Sequence, residues 1–211
     1  LGWLGKDARS AVPALMARLN DPQTAVRLRV CEALGRIGPG AVEAVPEFIN
    51  WLKDREPRLV ESAARALGGI GPLAKDALPL LVEQTTNLDK PAREAVAEAL
   101  GKIGSLSRIF VPKLAAQLGH VDSDVRETIA RAIGSIGPEA KAAVPALAEQ
   151  LGDVDRAVRA ACAKAIGQIG PNAAAGAWAL PPAVGPTTRA ASAPPPIAFA
   201  YGPLSSPHQC N

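Results

Sequence analysis

Apolar and polar positions along this chain follow a helical period, interrupted at regular points by glycine and proline. In residues 40 to 53, Ala41, Ala44, Val45, Phe48, Ile49 and Leu52 fall at i, i+3, i+4, i+7, i+8 and i+11. That is one stripe of an amphipathic helix. Pro46 lies inside the stripe, where it must bend the helix or stand in its first turns. Residues 57 to 70 predict a second helix. In the clearest copy its apolar positions are Val26, Val30, Ala33, Leu34 and Ile37, an arc about 100° wide on a helical wheel. The predicted unit is helix, short turn, helix, short turn.

The unit repeats without slippage. Leu34, Leu67, Leu100, Ile133 and Ile166 are each 33 residues apart, and so are Pro13, Pro46, Pro79, Pro112 and Pro145. A fixed period of this size marks an array in which each unit buries its apolar face only against its neighbours. Residues 33 to 39 read Ala-Leu-Gly-Arg-Ile-Gly-Pro, and four later copies keep the frame. Gly38 and its equivalents end the second helix, where a left-handed residue is wanted and a proline follows. Gly35 falls opposite the core arc. In mid-helix a glycine costs about 1 kcal/mol against alanine, so its recurrence points to close approach of a neighbouring backbone.

Two further columns fall in the turn between helices. Asp21, Asp54, Asn87, His120 and Asp153 are followed six residues later by Arg27, Val60, Arg93, Arg126 and Arg159. Asp-x5-Arg before Ala-Leu-Gly-x-Ile-Gly resembles the HEAT repeat, in its short phycobilisome-lyase HEAT-like variety, over residues 1 to about 171. The resemblance implies an all-α, right-handed solenoid of stacked antiparallel helix pairs. It also implies that the acid and the arginine form a ladder between neighbouring turns, interrupted at Val60, Asn87 and His120. The ankyrin and tetratricopeptide signatures are absent.

The ends differ from the middle. Residues 1 to 5, Leu-Gly-Trp-Leu-Gly, align with Leu34 to Gly38, so the chain starts at the close of a second helix and reads as a piece of a longer array. Residues 172 to 180 keep a first-helix register, with Trp178 in the proline column. This sets the array at 1–180. Residues 181 to 211 are rich in Pro, Ala and Ser, a composition that predicts disorder; the abrupt loss of register also fits a change of reading frame.

Charge and chemistry narrow the function. The chain carries 23 basic and 20 acidic side chains, and Arg189 is the only one of these beyond residue 171. That near balance is no footprint for nucleic acid. No apolar run reaches membrane-spanning length; a cytoplasmic setting is expected. Cys31 and Cys162 sit four repeats apart, about 40 Å at about 10 Å per helix layer, and read as small buried hydrophobes. His120 and His208 are the only histidines. His120 reads as a turn residue. The di-iron hydroxylase family that resembles this scaffold, deoxyhypusine hydroxylase, uses His-Glu pairs, and none is present; no Cys-x-x-Cys supports zinc. No metal, cofactor or catalytic residue is expected. A bilin lyase-like enzyme or enzyme subunit is the alternative, but Trp3 and Trp51 lie in different repeats and make no evident apolar cleft.

What remains is a surface. The side of the second helices opposite the core presents positions 28, 32 and 36 and their equivalents. It offers Arg36, Glu61, Arg65 and Glu94 as candidate contacts toward the start of the array, and Lys102, Glu127, Arg131 and Lys164 toward its end. Glu32–Arg36, Glu61–Arg65, Glu98–Lys102 and Glu127–Arg131 are i, i+4 pairs in the favourable order, so this face is also built to pair with itself. Trp51 occupies a column otherwise held by Arg18, Gln84, Gln117 and Gln150 and is expected to be exposed on the first-helix side, packed over the adjacent turn or against a missing domain, with a partner anchor as the alternative. The reading is a non-catalytic protein-interaction scaffold whose concave, mixed-charge face meets a protein or peptide.

Overall fold

The computed structural model describes residues 5–87 and 89–171, which are helical or turn, with no strand among them. Leu1 to Leu4, including Trp3, and everything after Pro171, including Trp178, Arg189, His208, Cys210 and the proline-rich 181–211, lie outside the described residues.

Among the described residues ten α-helices alternate short and long: α1 Val12–Met16, α2 Thr24–Ile37, α3 Val45–Trp51, α4 Pro57–Ile70, α5 Leu78–Gln84, α6 Lys90–Ile103, α7 Val111–Gln117, α8 Ser123–Ile136, α9 Val144–Glu149 and α10 Arg156–Ile169. Each short helix is preceded by a seven-residue 3₁₀ segment, as at Gly38–Ala44 and Gly71–Ala77. The stripe over 40–53 is therefore not one bent helix. It is a 3₁₀ segment with a break at Ala41 (φ −103°, ψ 23°) followed by α3. Pro46 sits in the first turn of α3, where its missing N–H has no helical partner to lose. The same holds for Pro13, Pro79, Pro112 and Pro145.

The long helices stack in sequence order, α2 on α4, α4 on α6, α6 on α8 and α8 on α10. Leu34, Leu67, Leu100 and Ile133 are fully buried in this spine. Each contributes about 2 kcal/mol by leaving water. The short helices form the outer layer and bury Phe48, Leu81, Leu114 and Leu147 against it.

The two glycine columns have separate causes. A Cβ on Gly35 would stand 2.8 Å from the Ala66 Cα, and one on Gly134 would stand 2.8 Å from the Ala165 Cα. The backbones meet there, and a side chain would push them apart. Gly38 ends α2 with φ 71° and ψ −132°. This is not the left-handed helical cap the sequence suggests but an extended, positive-φ conformation open essentially to glycine alone. It turns the chain directly into the next 3₁₀ segment.

The turn columns are also clarified. Asp21, Asp54, Asn87 and Asp153 each accept, through a side-chain oxygen, the N–H two residues on, at 2.8–2.9 Å. His120 does the same through Nδ1, accepting from the Asp122 N–H at 3.1 Å. The column needs an acceptor, not an acid, and Asn and His supply one. The arginines reach back to the same turn: Arg27, Arg126 and Arg159 donate through Nη1 to the carbonyls of Asp21, His120 and Asp153. The implied ladder between turns is realised at Arg126. It forks onto Asp153 of the next turn, Nε to Oδ2 at 2.7 Å and Nη2 to Oδ1 at 2.9 Å. At Val60 the side chain is buried instead.

Candidate functional site

Helix register decides which side chains leave the spine. Positions 32 and 36 of α2, and most of their equivalents in α4, α6, α8 and α10, leave the core, while Leu28 packs partly against it, and two troughs open along this face. The first, about 550 Å³, has a floor of Leu28, Gly35, Ala66 and Gly69 and a rim of Arg29, Glu32, Arg36, Arg65 and Lys102. Glycine and alanine keep this floor low because the backbones beneath are in contact. The second, about 750 Å³, lies between α6, α8 and α10. Glu94, Glu98, Glu127 and Arg131 line one side, and Arg156, Ala160 and Lys164 the other.

The eight residues singled out from sequence are thus distributed. Arg36, Arg65 and Lys102 border the first trough. Glu94, Glu127, Arg131 and Lys164 border the second. Glu61 lines neither, but holds Arg65 in place at 3.0 Å.

Ion pairs fix most of these side chains. Arg36 pairs with Glu32 at 2.7 Å and Lys102 with Glu98 at 2.6 Å. Arg131 pairs with Glu127 on its own helix and with Glu94 of α6 at 3.4 Å. Arg65 also approaches Glu98 of the next repeat at 3.9 Å. All four i, i+4 pairs anticipated from spacing form. The hydrogen bond from Lys102 holds the Glu98 carboxyl below its usual value, against an opposing effect of burial. Such exposed pairs contribute about 0.2–0.5 kcal/mol each. Their effect is to hold long side chains in place rather than to stabilise the fold.

Two candidates change character. Glu127 is not a free surface acid: its side chain is only 11% exposed, beneath Arg131 and 3.9 Å from Lys90. It anchors Arg131 from below. Trp51 is not exposed either. It is buried, packs edge-on against Phe48 with ring centres 5.9 Å apart, and donates its indole N–H to Glu47 Oε1 at 3.2 Å. A partner at that side chain is ruled out. Its column elsewhere holds exposed Arg18 and half-buried Gln84, Gln117 and Gln150, so composition hid the burial.

Two surface cations were missed. Arg29 borders the first trough and shares Glu32 with Arg36, at 3.0 Å. Arg156 borders the second. Both lie one helical turn before a position already chosen, or two turns, so the wheel held the signal.

The described residues contain no cluster of His, Cys, Asp and Glu able to hold a metal. No described helix is long and apolar enough to cross a membrane. Cys31 and Cys162 are both buried, and burial raises the thiol of each, that of Cys162 to about 11. Such thiols are poor nucleophiles at neutral pH.

Comparison with known proteins agrees with this architecture. The chain is similar to an engineered protein of known structure at 24% identity, over 78% of this chain and 83% of that one, with a TM-score of 0.55. It is similar to the complex of CpcE and CpcF of phycocyanin lyase from Nostoc sp. PCC7120 at 20% identity, over 74% and 98%, with a TM-score of 0.56. Computationally designed armadillo repeat proteins for modular peptide recognition align at 17% identity, over 76% and 83%, with a TM-score of 0.53. At these identities the likeness is one of fold. No curated protein matches. A profile for HEAT repeats matches residues 1–67, 45–109 and 111–177. The chain belongs to the HEAT repeat family.

Proposed function

We propose that residues 1–180 form a non-catalytic scaffold that binds a protein or peptide across the exposed face of its second helices. The observation that carries the reading is the pair of troughs, each with an apolar or small-residue floor and a rim of charged side chains already held in place by ion pairs. Ordering long side chains on binding costs roughly 0.5–1.5 kcal/mol each. Here Arg36, Arg65, Lys102 and Arg131 each have an acidic neighbour that biases them toward one geometry before a partner arrives. A floor of Gly35, Gly69, Ala97 and Ala160 lets a backbone approach closely. Armadillo repeats designed for peptide recognition share the fold, which supports this use of the face without assigning a sequence to the partner.

Selection of a random peptide library on the immobilised chain tests the proposal. Arg65 and Arg131 stand one in each trough. Selected peptides should lose at least tenfold in affinity for Arg65→Glu or Arg131→Glu; the melting temperature should stay close to the parent for Arg65→Glu and fall for Arg131→Glu, which takes the partner from the nearly buried Glu127, with circular dichroism showing both variants folded. Peptides whose affinity ignores both reversals would place binding elsewhere.

A further inference from the structure

One 3₁₀ segment departs from the repeat. Gly104–Phe110 reads Gly-Ser-Leu-Ser-Arg-Ile-Phe, where Gly71–Ala77 reads Gly-Pro-Leu-Ala-Lys-Asp-Ala. Ile109 takes the place that Glu43 and Asp76 hold in the preceding copies, and is 70% exposed. Phe110 takes the place where Ala44, Ala77 and Ala143 are fully buried. A slot filled by a methyl group has no room for a benzyl group, and Phe110 is left half-buried. With Leu106 and Ile109, and with Leu78 and Pro79 of α5, it lines a hollow of about 400 Å³. Leu106 is 43% exposed, and Leu73, in the same column one repeat earlier, 53%. Single exposed apolar side chains are ordinary. Several around one hollow mark a surface that another molecule covers. None of these residues borders either trough. Described repeats stand on both sides, so no end of the array accounts for the exposure.

Charge indicates what covers it. Lys75, Arg108 and Lys141 hold one column in consecutive repeats, roughly 10 Å apart, and all three are exposed. Arg108 meets Glu139 at 3.6 Å. Lys75 and Lys141 make no ion pair among the described residues. The neighbouring acidic column, Glu43 and Asp76, gives way to Ile109 and Ala142 at the next two positions. The hollow thus has an apolar interior and a rim where Lys75, Arg108 and Lys141 outweigh Asp76 and Glu139. A bilayer is met by a protruding apolar surface, whereas a hollow takes in a side chain.

We propose that this hollow docks an acidic peptide segment of another protein. One large apolar side chain of the segment enters between Leu78, Leu106 and Phe110. Asp or Glu residues beside it meet Lys75 and Arg108, with Lys141 one repeat further on. The apolar anchor supplies most of the affinity, and the cations select segments of the right charge.

Panning a phage-displayed random dodecapeptide library on the full chain, and in parallel on the Leu106→Ser/Ile109→Ser variant, tests this. Both substitutions fall at exposed positions and leave the charge unchanged, and circular dichroism should show the variant still helical. Clones enriched on the parent alone should carry a large apolar residue with Asp or Glu beside it. Synthetic peptides from these clones should bind the parent at least tenfold more tightly than the double variant. They should lose at least threefold in affinity for Lys75→Gln, and should weaken as salt rises from about 50 to about 300 mM. Arg65→Glu should leave them unaffected, which separates this hollow from the troughs. The proposal falls if no clone depends on Leu106 and Ile109, or if the dependent clones lack acidic residues, ignore Lys75→Gln or also need Arg65. It falls too if the parent, but not the double variant, sediments with phosphatidylserine–phosphatidylcholine vesicles, which would make the occupant a lipid surface.

Discussion

The spine of long helices and the outer layer of short ones come from the same repeat yet obey different constraints. In the spine, a recurring residue reports a distance. Gly35 and Gly134 leave 2.8 Å between a would-be Cβ and the next backbone, so volume is not negotiable there. In the outer layer, a recurring residue reports a dihedral. Pro46 and its equivalents are exposed and start a helix without filling a gap. The segment Gly104–Phe110 shows how much this layer tolerates. It carries Ser105 where three other copies have proline, Ser107 and Phe110 where they have alanine, and still forms the same seven-residue 3₁₀ turn. Ser107 is buried, but its hydroxyl donates to the Leu100 carbonyl at 2.8 Å, so no polar group is stranded. The long helices hold the register while the outer layer of short helices tolerates change.

The largest effect should come from emptying the spine. Leu67→Ala removes a fully buried side chain and should cost about 3 kcal/mol in urea denaturation. Ile109→Ala trims a side chain of the outer layer that is 70% exposed, and should stay within about 0.5 kcal/mol of the parent. Equal costs would dissolve the distinction between the layers.

Next in size is the turn. Arg126→Ala strips Asp153, whose carboxylate is nearly buried, of both charge-assisted hydrogen bonds, and should cost about 2 kcal/mol. The same contact predicts a pH response. The Arg126 hydrogen bond and the Asp155 N–H hold the Asp153 carboxyl below its usual value, and the Ala157 N–H lowers Asp155. A depressed folded value means that this stabilisation is complete above the ordinary carboxylate range. It is lost as pH falls through the folded value. Thermal melts on acidification should show a shallower loss for Asp153→Asn than for the parent. Parallel slopes would deny the linkage.

Much of this plan was legible in the amino-acid order, because a repeat displays each constraint several times. The long helix over 57–70 and the buried column from Leu34 to Ile133 follow from period alone, and the steric reason for Gly35 was visible as a cost with no core contact to explain it. What stayed hidden depended on one copy at a time. Trp51 is buried through a local partner, Phe48, and Glu127 through the reach of Arg131; neither is set by a column. The acceptor role shared by Asp21, Asn87 and His120 was obscured because residue chemistry suggested charge where geometry needed only a lone pair. The exposed face was located by the wheel, yet its troughs depend on how neighbouring helices open between side chains, which no single helix encodes.

A smaller effect probes the outer layer. Pro46→Ala should cost less than about 1 kcal/mol, chiefly through greater freedom of the unfolded chain, and should leave the helical circular dichroism unchanged. Loss of the whole fold would mean that this proline holds the register and not merely a helix start.

One pair of melting temperatures tests the spine most directly. Gly35 and Gly167 occupy the same helical position, so alanine offers each the same gain in helix propensity, at most about 1 kcal/mol. Gly35 has the Ala66 backbone against it, and Gly167 meets no described residue within 4 Å. Gly167→Ala should melt higher than the parent and Gly35→Ala lower. Shifts of the same sign at both positions would show that close approach between long helices does not set this array.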